Sequence, residues 1–140
     1  MQGTESPVGL TKDAGYQIGV RRTLKVHYAD AWRILTSPEG ANLWLGESPD
    51  LKLLKGEKFT LKDGSQVEVR ACARESHVRL AVLPQGWEKP TIIQLRVMPQ
   101  QDRAVIAFHQ EHLRTSDERE DRRQFYMSVL DTLEAQFRTA

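Results

Sequence analysis

The string Phe108-His109-Gln110-Glu111-His112-Leu113 holds the densest set of groups able to do chemistry. Two histidines three residues apart invite a metal, because on a helix that spacing puts both rings on one face. On a strand, residues three apart face opposite ways, and zinc needs a third and fourth ligand that the spacing does not offer. No metal is implied. Glu111 shares strand parity with His109, at a Cβ spacing of about 7 Å from the rise along a strand, so the two form either an acid–base pair or a solvated surface pair. The inner face is open to two readings. Ala104, Ile106 and Phe108 would carry Gln110 and His112 inward, whereas Val105 and Ala107 would carry His109 and Glu111 inward. The first is preferred, because Ile106 and Phe108 bury more apolar area.

Other groups could join that site. Arg22 shares the inward parity of Val20 and Leu24, and a buried guanidinium must be paired. It is a clamp for a ligand carboxylate, a partner for a carboxylate of the last helix, or a side chain turned out at the open end of the sheet. Trp32, Trp44 and Trp87 are the three tryptophans. Trp32 and Trp44 pack two short helices in the plainer reading and line a cavity in the other. Trp87, between Pro84 and Pro90, is either a lid or an anchor on a sheet edge. The Tyr126 hydroxyl needs a partner if its ring is buried. Cys72 is the only cysteine and sits in an alternating run, so it reads as a small strand residue rather than a reactive thiol. The charged run Asp117 to Arg123 reads as a solvated helix face.

These groups need elements to hold them. Period-two alternation marks strands at Tyr16 to Val26, Lys58 to Lys62, Gln66 to Ala73, His77 to Leu83, Thr91 to Met98 and Arg103 to Leu113. Asp63-Gly64 is a hairpin turn, since both residues tolerate positive φ. Asp30 to Thr36 is a short helix. Ser37 before Pro38 starts a second one, the hydroxyl as cap and the proline where its missing donor is harmless. Gly46 through Gly56 is a loop with a short extended piece at Leu51 to Leu54. Thr115 and Glu118 match a capping box, and Tyr126, Val129, Leu130, Leu133 and Phe137 form one stripe of a long final helix. The class is α+β: a curved antiparallel sheet of about six strands, two short helices, and one long C-terminal helix packed across it.

The bulk numbers narrow function. The length of 140 residues suits one domain, with residues 1–15 as a loose arm and residues 16–140 as the domain. A net charge of +1 gives no pull toward nucleic acid or an anionic membrane. No apolar run reaches the ~20 residues that span a bilayer, and no basic-then-apolar start is visible, so a cytoplasmic location is expected. Phosphate-cradling glycine loops, a nucleophile elbow and Cys-x-x-Cys pairs do not occur, and no cofactor is implied.

The order of these pieces resembles the START-like superfamily, also called SRPBCC, whose layout is the helix-grip fold. The residues that carry the likeness are Ala31 to Leu45 (AWRILTSPEGANLWL), Gly56 to Gly64 (GEKFTLKDG), Gly86 to Val97 (GWEKPTIIQLRV) and FHQEHL with the helix start behind it. They point to the subgroup similar to the C-terminal domain of the heat-shock-protein-90 ATPase activator, with one departure: Tyr126 stands where many relatives have tryptophan. The resemblance implies a cavity between sheet and long helix that binds a small apolar or amphipathic molecule, as such cavities take lipids, sterols and polyketides. On that expectation its lining is drawn from Arg22, Trp32, Trp44, Trp87, Phe108, Gln110, His112 and Tyr126. Some superfamily members catalyse cyclisation or dehydration, so a cyclase or hydrolase using Gln110, His112, Tyr126 or Arg22 is the alternative. A homodimer and a chaperone partner are also compatible with the likeness. The activator has a further N-terminal domain without counterpart in these residues, which ranks the chaperone role below ligand binding.

Overall fold

Residues 9–11 and 15–139 are described by the computed structural model, and seven strands and three helices form among them. The strands are β1 (Leu10–Thr11), β2 (Gly15–Leu24), β3 (Lys58–Thr60), β4 (Gln66–Ala73), β5 (His77–Leu83), β6 (Thr91–Gln100) and β7 (Arg103–Leu113). The helices are α1 (Tyr28–Leu35), α2 (Pro38–Trp44) and α3 (Ser116–Thr139). All strands join one antiparallel sheet in the order β1-β2-β7-β6-β5-β4-β3. Pairing β2 with β7 brings the two ends of the chain together and sets α3 beside the strand that starts the fold. The loose arm expected at residues 1–15 lies outside the described residues except for Gly9, Leu10, Thr11 and Gly15. Of these, Leu10 and Thr11 pair with Tyr16 and Gly15 as a short edge strand, where a free arm was expected.

Alternation does the sorting. Ile18, Leu24, Val78, Leu80, Ile93, Leu95, Val97, Ala104, Ile106 and Phe108 point to one side of the sheet and are buried there. On that side α3 lays down Tyr126, Val129, Leu130 and Leu133, all at most 3% exposed. At 1.5 Å per residue its 24 residues reach about 36 Å, enough to cross the sheet. The other side of the sheet has no helix on it, the usual state of an antiparallel sheet with one solvated face.

Local chemistry fixes the connections. Ser37 caps α2 by accepting from the Gly40 amide at 3.1 Å, with Pro38 as first helical residue. In the β3–β4 turn the Asp63 carboxylate accepts from the Ser65 amide at 2.8 Å, and Gly64 takes φ +92°. The Thr115 hydroxyl accepts from the Glu118 amide at 3.1 Å. The return half of that box shifts by one residue, since Glu118 accepts from the Arg114 amide at 2.8 Å instead. Leu51 to Leu54 forms no strand.

One irregularity bears directly on function. Between the pairs Ile18↔Gln110 and Tyr16↔Leu113, β7 advances three residues while β2 advances two, which is a β-bulge. The extra residue is absorbed at His112, which takes φ +66° and is exposed. Leu113 then points inward in its place and is 5% exposed. The expectation that His112 follows Gln110 inward is therefore wrong, because parity holds only up to the bulge. Gly15 sits opposite: a Cβ there would stand 3.3 Å from the His112 Cα, with the glycine itself at φ +61°.

Candidate functional site

The inner face is packed through its middle and open at one end. In the middle, Phe108 lies between Trp44, at a centroid separation of 5.9 Å, and Tyr126, stacked at 5.0 Å. All three are at most 1% exposed, and the Trp44 indole donates to the Leu35 carbonyl at 2.8 Å. No room for a guest remains among them. Leu130 and Leu133 extend the same packing along α3.

Toward the N-terminus of α3 the packing changes character. Gln110, on the inner face of β7, is 4% exposed and is hydrogen-bonded through both its amide oxygen and its amide nitrogen. Its Oε1 accepts from the Tyr126 hydroxyl at 2.8 Å and from Arg122 Nε at 2.8 Å. Its Nε2 donates to the Thr91 hydroxyl at 3.2 Å, and Thr91 donates onward to the Val82 carbonyl at 3.2 Å. Arg122 Nη2 also donates to the Tyr126 oxygen at 3.1 Å, and the guanidinium lies 4.3 Å from the Phe125 ring centroid. Arg122 and Tyr126 reach the same amide because they are four apart on α3. Burial raises the Tyr126 phenol above its ordinary value, with Arg122 opposing, so the hydroxyl stays protonated and acts as donor.

Beside this network lies a cavity of about 270 Å³. Leu45, Leu61, Val82, Ile93 and Leu113 form its apolar wall; Thr91, Gln110 and Arg122 form its polar end, and the carboxylates of Asp63, Glu118 and Asp121 line it too. Ser65 lines it as well and is 5% exposed. Trp87 lines it too. Its ring carries the Arg114 guanidinium at 3.6 Å, and Arg114 is in turn held by Glu118 at 2.7 Å. Partial burial pushes the Glu118 carboxyl up, but its hydrogen bonds and charge pairing with Arg114 outweigh this and leave it below the usual range. Larger grooves of about 710 Å³ beside α1 and about 550 Å³ beside α2 do not meet the Gln110 network.

Of the eight residues expected around a cavity, Gln110 and Trp87 line this one. Phe108, Trp44 and Tyr126 belong to the packed middle, with only the Tyr126 hydroxyl reaching the network. Trp32 is 7% exposed and borders the groove beside α1. Arg22 does share the inner face, but Asp131 and Glu134 of α3 take its guanidinium at 2.6 Å and 3.0 Å. That is about 7 Å or more along the helix beyond Tyr126, from the rise of 1.5 Å per residue. His112 is exposed, and His109 bonds the Gln17 side chain at 3.0 Å on the outer face. The constellation of Gln110, His112, Tyr126 and Arg22 therefore does not converge. Nor does the outward pair form: Glu111 is bonded to Arg79 at 3.0 Å. Arg122 and Thr91 were missed, although Arg122 precedes Tyr126 by one helical turn and Thr91 shares the parity of Ile93 and Leu95.

No family model matches the sequence, and no curated protein matches it. Solved structures do. The chain superposes on DynU16, a protein of the dynemicin biosynthetic locus, with a TM-score of 0.75 at 12% identity, over 88% of this chain and 47% of that one. The shared fold is the α+β helix-grip arrangement. CalU16 from Micromonospora echinospora gives a TM-score of 0.70 at 18% identity, over 84% of this chain and 71% of that one. The Aha1 dimer from Colwellia psychrerythraea gives 0.66 at 16% identity, over 86% and 95%. The chain thus spans about half the length of DynU16 and nearly all of the Colwellia protein. At these identities the likeness is one of architecture. No helix among the described residues is long and apolar enough to cross a membrane.

Proposed function

We propose that this START-like chain binds a small amphipathic molecule, without catalysis, in the cavity under Trp87. One observation carries the reading. An apolar wall of five side chains ends in a guanidinium, Arg122, that is held only by neutral acceptors and has no carboxylate within ion-pair distance among the described residues. A partly buried cation favours a negative or strongly accepting partner. A ligand oxygen at Arg122, with Ser65 as second contact and an apolar body against Ile93 and Leu113, meets that need. The volume of about 270 Å³ lies near the lower end of ligand sites, which run from roughly 300 Å³ upward, so the ligand is small.

Native mass spectrometry of freshly purified protein tests this. An adduct of discrete mass is expected on the wild type and not on Ile93→Trp, which obstructs the cavity. Identical adducts on both, or none on either together with no binding of amphipathic probes, would remove the reading.

The likeness to the Aha1 dimer supports a second reading, a chaperone ATPase cofactor related to the activator's C-terminal domain. Its test is the ATPase rate of the chaperone with and without this protein, and an unchanged rate ends it. Homodimerisation goes with that reading and is read by light scattering. A cytoplasmic location accords with either.

A further inference from the structure

The uncovered face of the sheet sorts its charges unevenly. Register places Arg21, Ala107, Arg96 and His77 in one row across β2, β7, β6 and β5. With strands about 4.8 Å apart, Arg21 and Arg96 stand about 10 Å from each other, the methyl of Ala107 between them. Both guanidinium groups can reach one carboxylate above that methyl. The ladder strands put two acids on this face, Glu68 and Glu111, and both are already held, by Arg70 and Arg79 at 3.0 Å each. Arg21, Arg96 and, further along β7, Arg103 have no carboxylate partner among the described residues. Thr23, Val105, Met98 and Gln94 complete the surroundings without charge. On the opposite side α3 carries the acids Asp117, Glu118, Glu120, Asp121, Asp131 and Glu134 together with Arg119, Arg122, Arg123 and Arg138.

We infer that this open sheet face is a docking surface for an acidic protein partner. Arg21, Ala107 and Arg96 stand on an open sheet face and line none of the best-formed concavities among the described residues, so a small anion has few walls to hold it, whereas a protein surface supplies its own area. Arginine and methionine are among the residues enriched at protein interfaces. No Phe, Tyr or Trp points outward from these strands among the described residues, so nucleic-acid bases have no stacking platform. A second copy docked face to face would set Arg21 and Arg96 against like charges. The site is separate from the Trp87 cavity.

Fluorescence anisotropy with a labelled glutamate-rich peptide tests the inference, with oligo(dT) as competing probe. Arg21→Gln combined with Arg96→Gln is expected to weaken the peptide about tenfold or more, as for loss of two charge-pair contacts. Arg33→Gln with Lys62→Gln, the same charge change elsewhere, is expected to leave it unchanged. Circular dichroism checks folding, and the single variants substitute if the double one unfolds. Equal loss in both double variants, no peptide binding to the wild type, or oligo(dT) binding as tightly as the peptide would each overturn it. So would light scattering that shows self-association abolished by the Arg21 and Arg96 changes.

Discussion

The two halves of the α3–sheet interface solve the same problem differently. Where Trp44, Phe108 and Tyr126 meet, rings fill the space, and the polar atoms of Trp44 and Tyr126 bond without leaving a gap. One turn toward the N-terminus of α3, the filling is an amide, a hydroxyl and a guanidinium, with a void of about 270 Å³ beside them. The first half is stability. The second half has given up ring packing and holds its polar groups by hydrogen bonds and by the contact of Arg122 with the Phe125 ring. A region that forgoes burial in an otherwise closed core is where a guest has space.

The largest effect should come from the packed half. Trp44→Ala is expected to destabilise by about 3–5 kcal/mol, the range for deleting a large buried ring, read by denaturant unfolding. A loss under about 1 kcal/mol, well below that range, would mean the middle is not the packed half. Next is Gln110→Leu, which keeps volume but strands the Tyr126 hydroxyl and Arg122 Nε. It should cost about 1–3 kcal/mol, the range for buried groups left unsatisfied. Thr91→Val removes one link of the same network and should cost less.

Smaller still is a pH effect at the boundary between the halves. The Tyr126 phenol is raised from 10.0, first by burial. A raised pKa means its stabilising contribution is whole below pH 10.0, the unfolded value, and is lost as pH climbs from there through the folded value. The alkaline limb of stability should therefore be shallower in Tyr126→Phe, and phenolate absorbance should show one of the three tyrosines ionising late or only with unfolding. Smallest is Arg22→Ala. Its ion pairs with exposed Asp131 and Glu134 are worth under about 1 kcal/mol and should fade in high salt. A large Arg22 effect would move the polar half of the interface toward the C-terminus of α3.

How far the sequence reveals this depends on what each residue answers to. Strand alternation and the α3 stripe report burial directly, so the sheet, its inner face at Ile106 and Phe108, and the long helix were legible. The Ser37-Pro38 start and the Asp63-Gly64 turn are local chemistry and were legible too. His112 was not, because a bulge adds one residue to a ladder and the alternation gives no warning of it. The trace it leaves is Gly15 across the sheet, which has to be small and at positive φ. Arg122 was hidden inside a charged run that reads as solvated. Its place one turn before Tyr126 marks it as facing the core, but only once the stripe outweighs the charge.

The cavity is the central claim, and titration with 1-anilinonaphthalene-8-sulfonate, apolar rings with one anionic group, tests it most directly. Saturable binding at one site is expected on the wild type, weakened about tenfold or more in Ile93→Trp, an effect of at least ~1.4 kcal/mol. It should also be weakened in Arg122→Gln, which keeps hydrogen-bonding groups but not the charge. Equal affinity across all three proteins would place the dye, and with it the binding site, elsewhere.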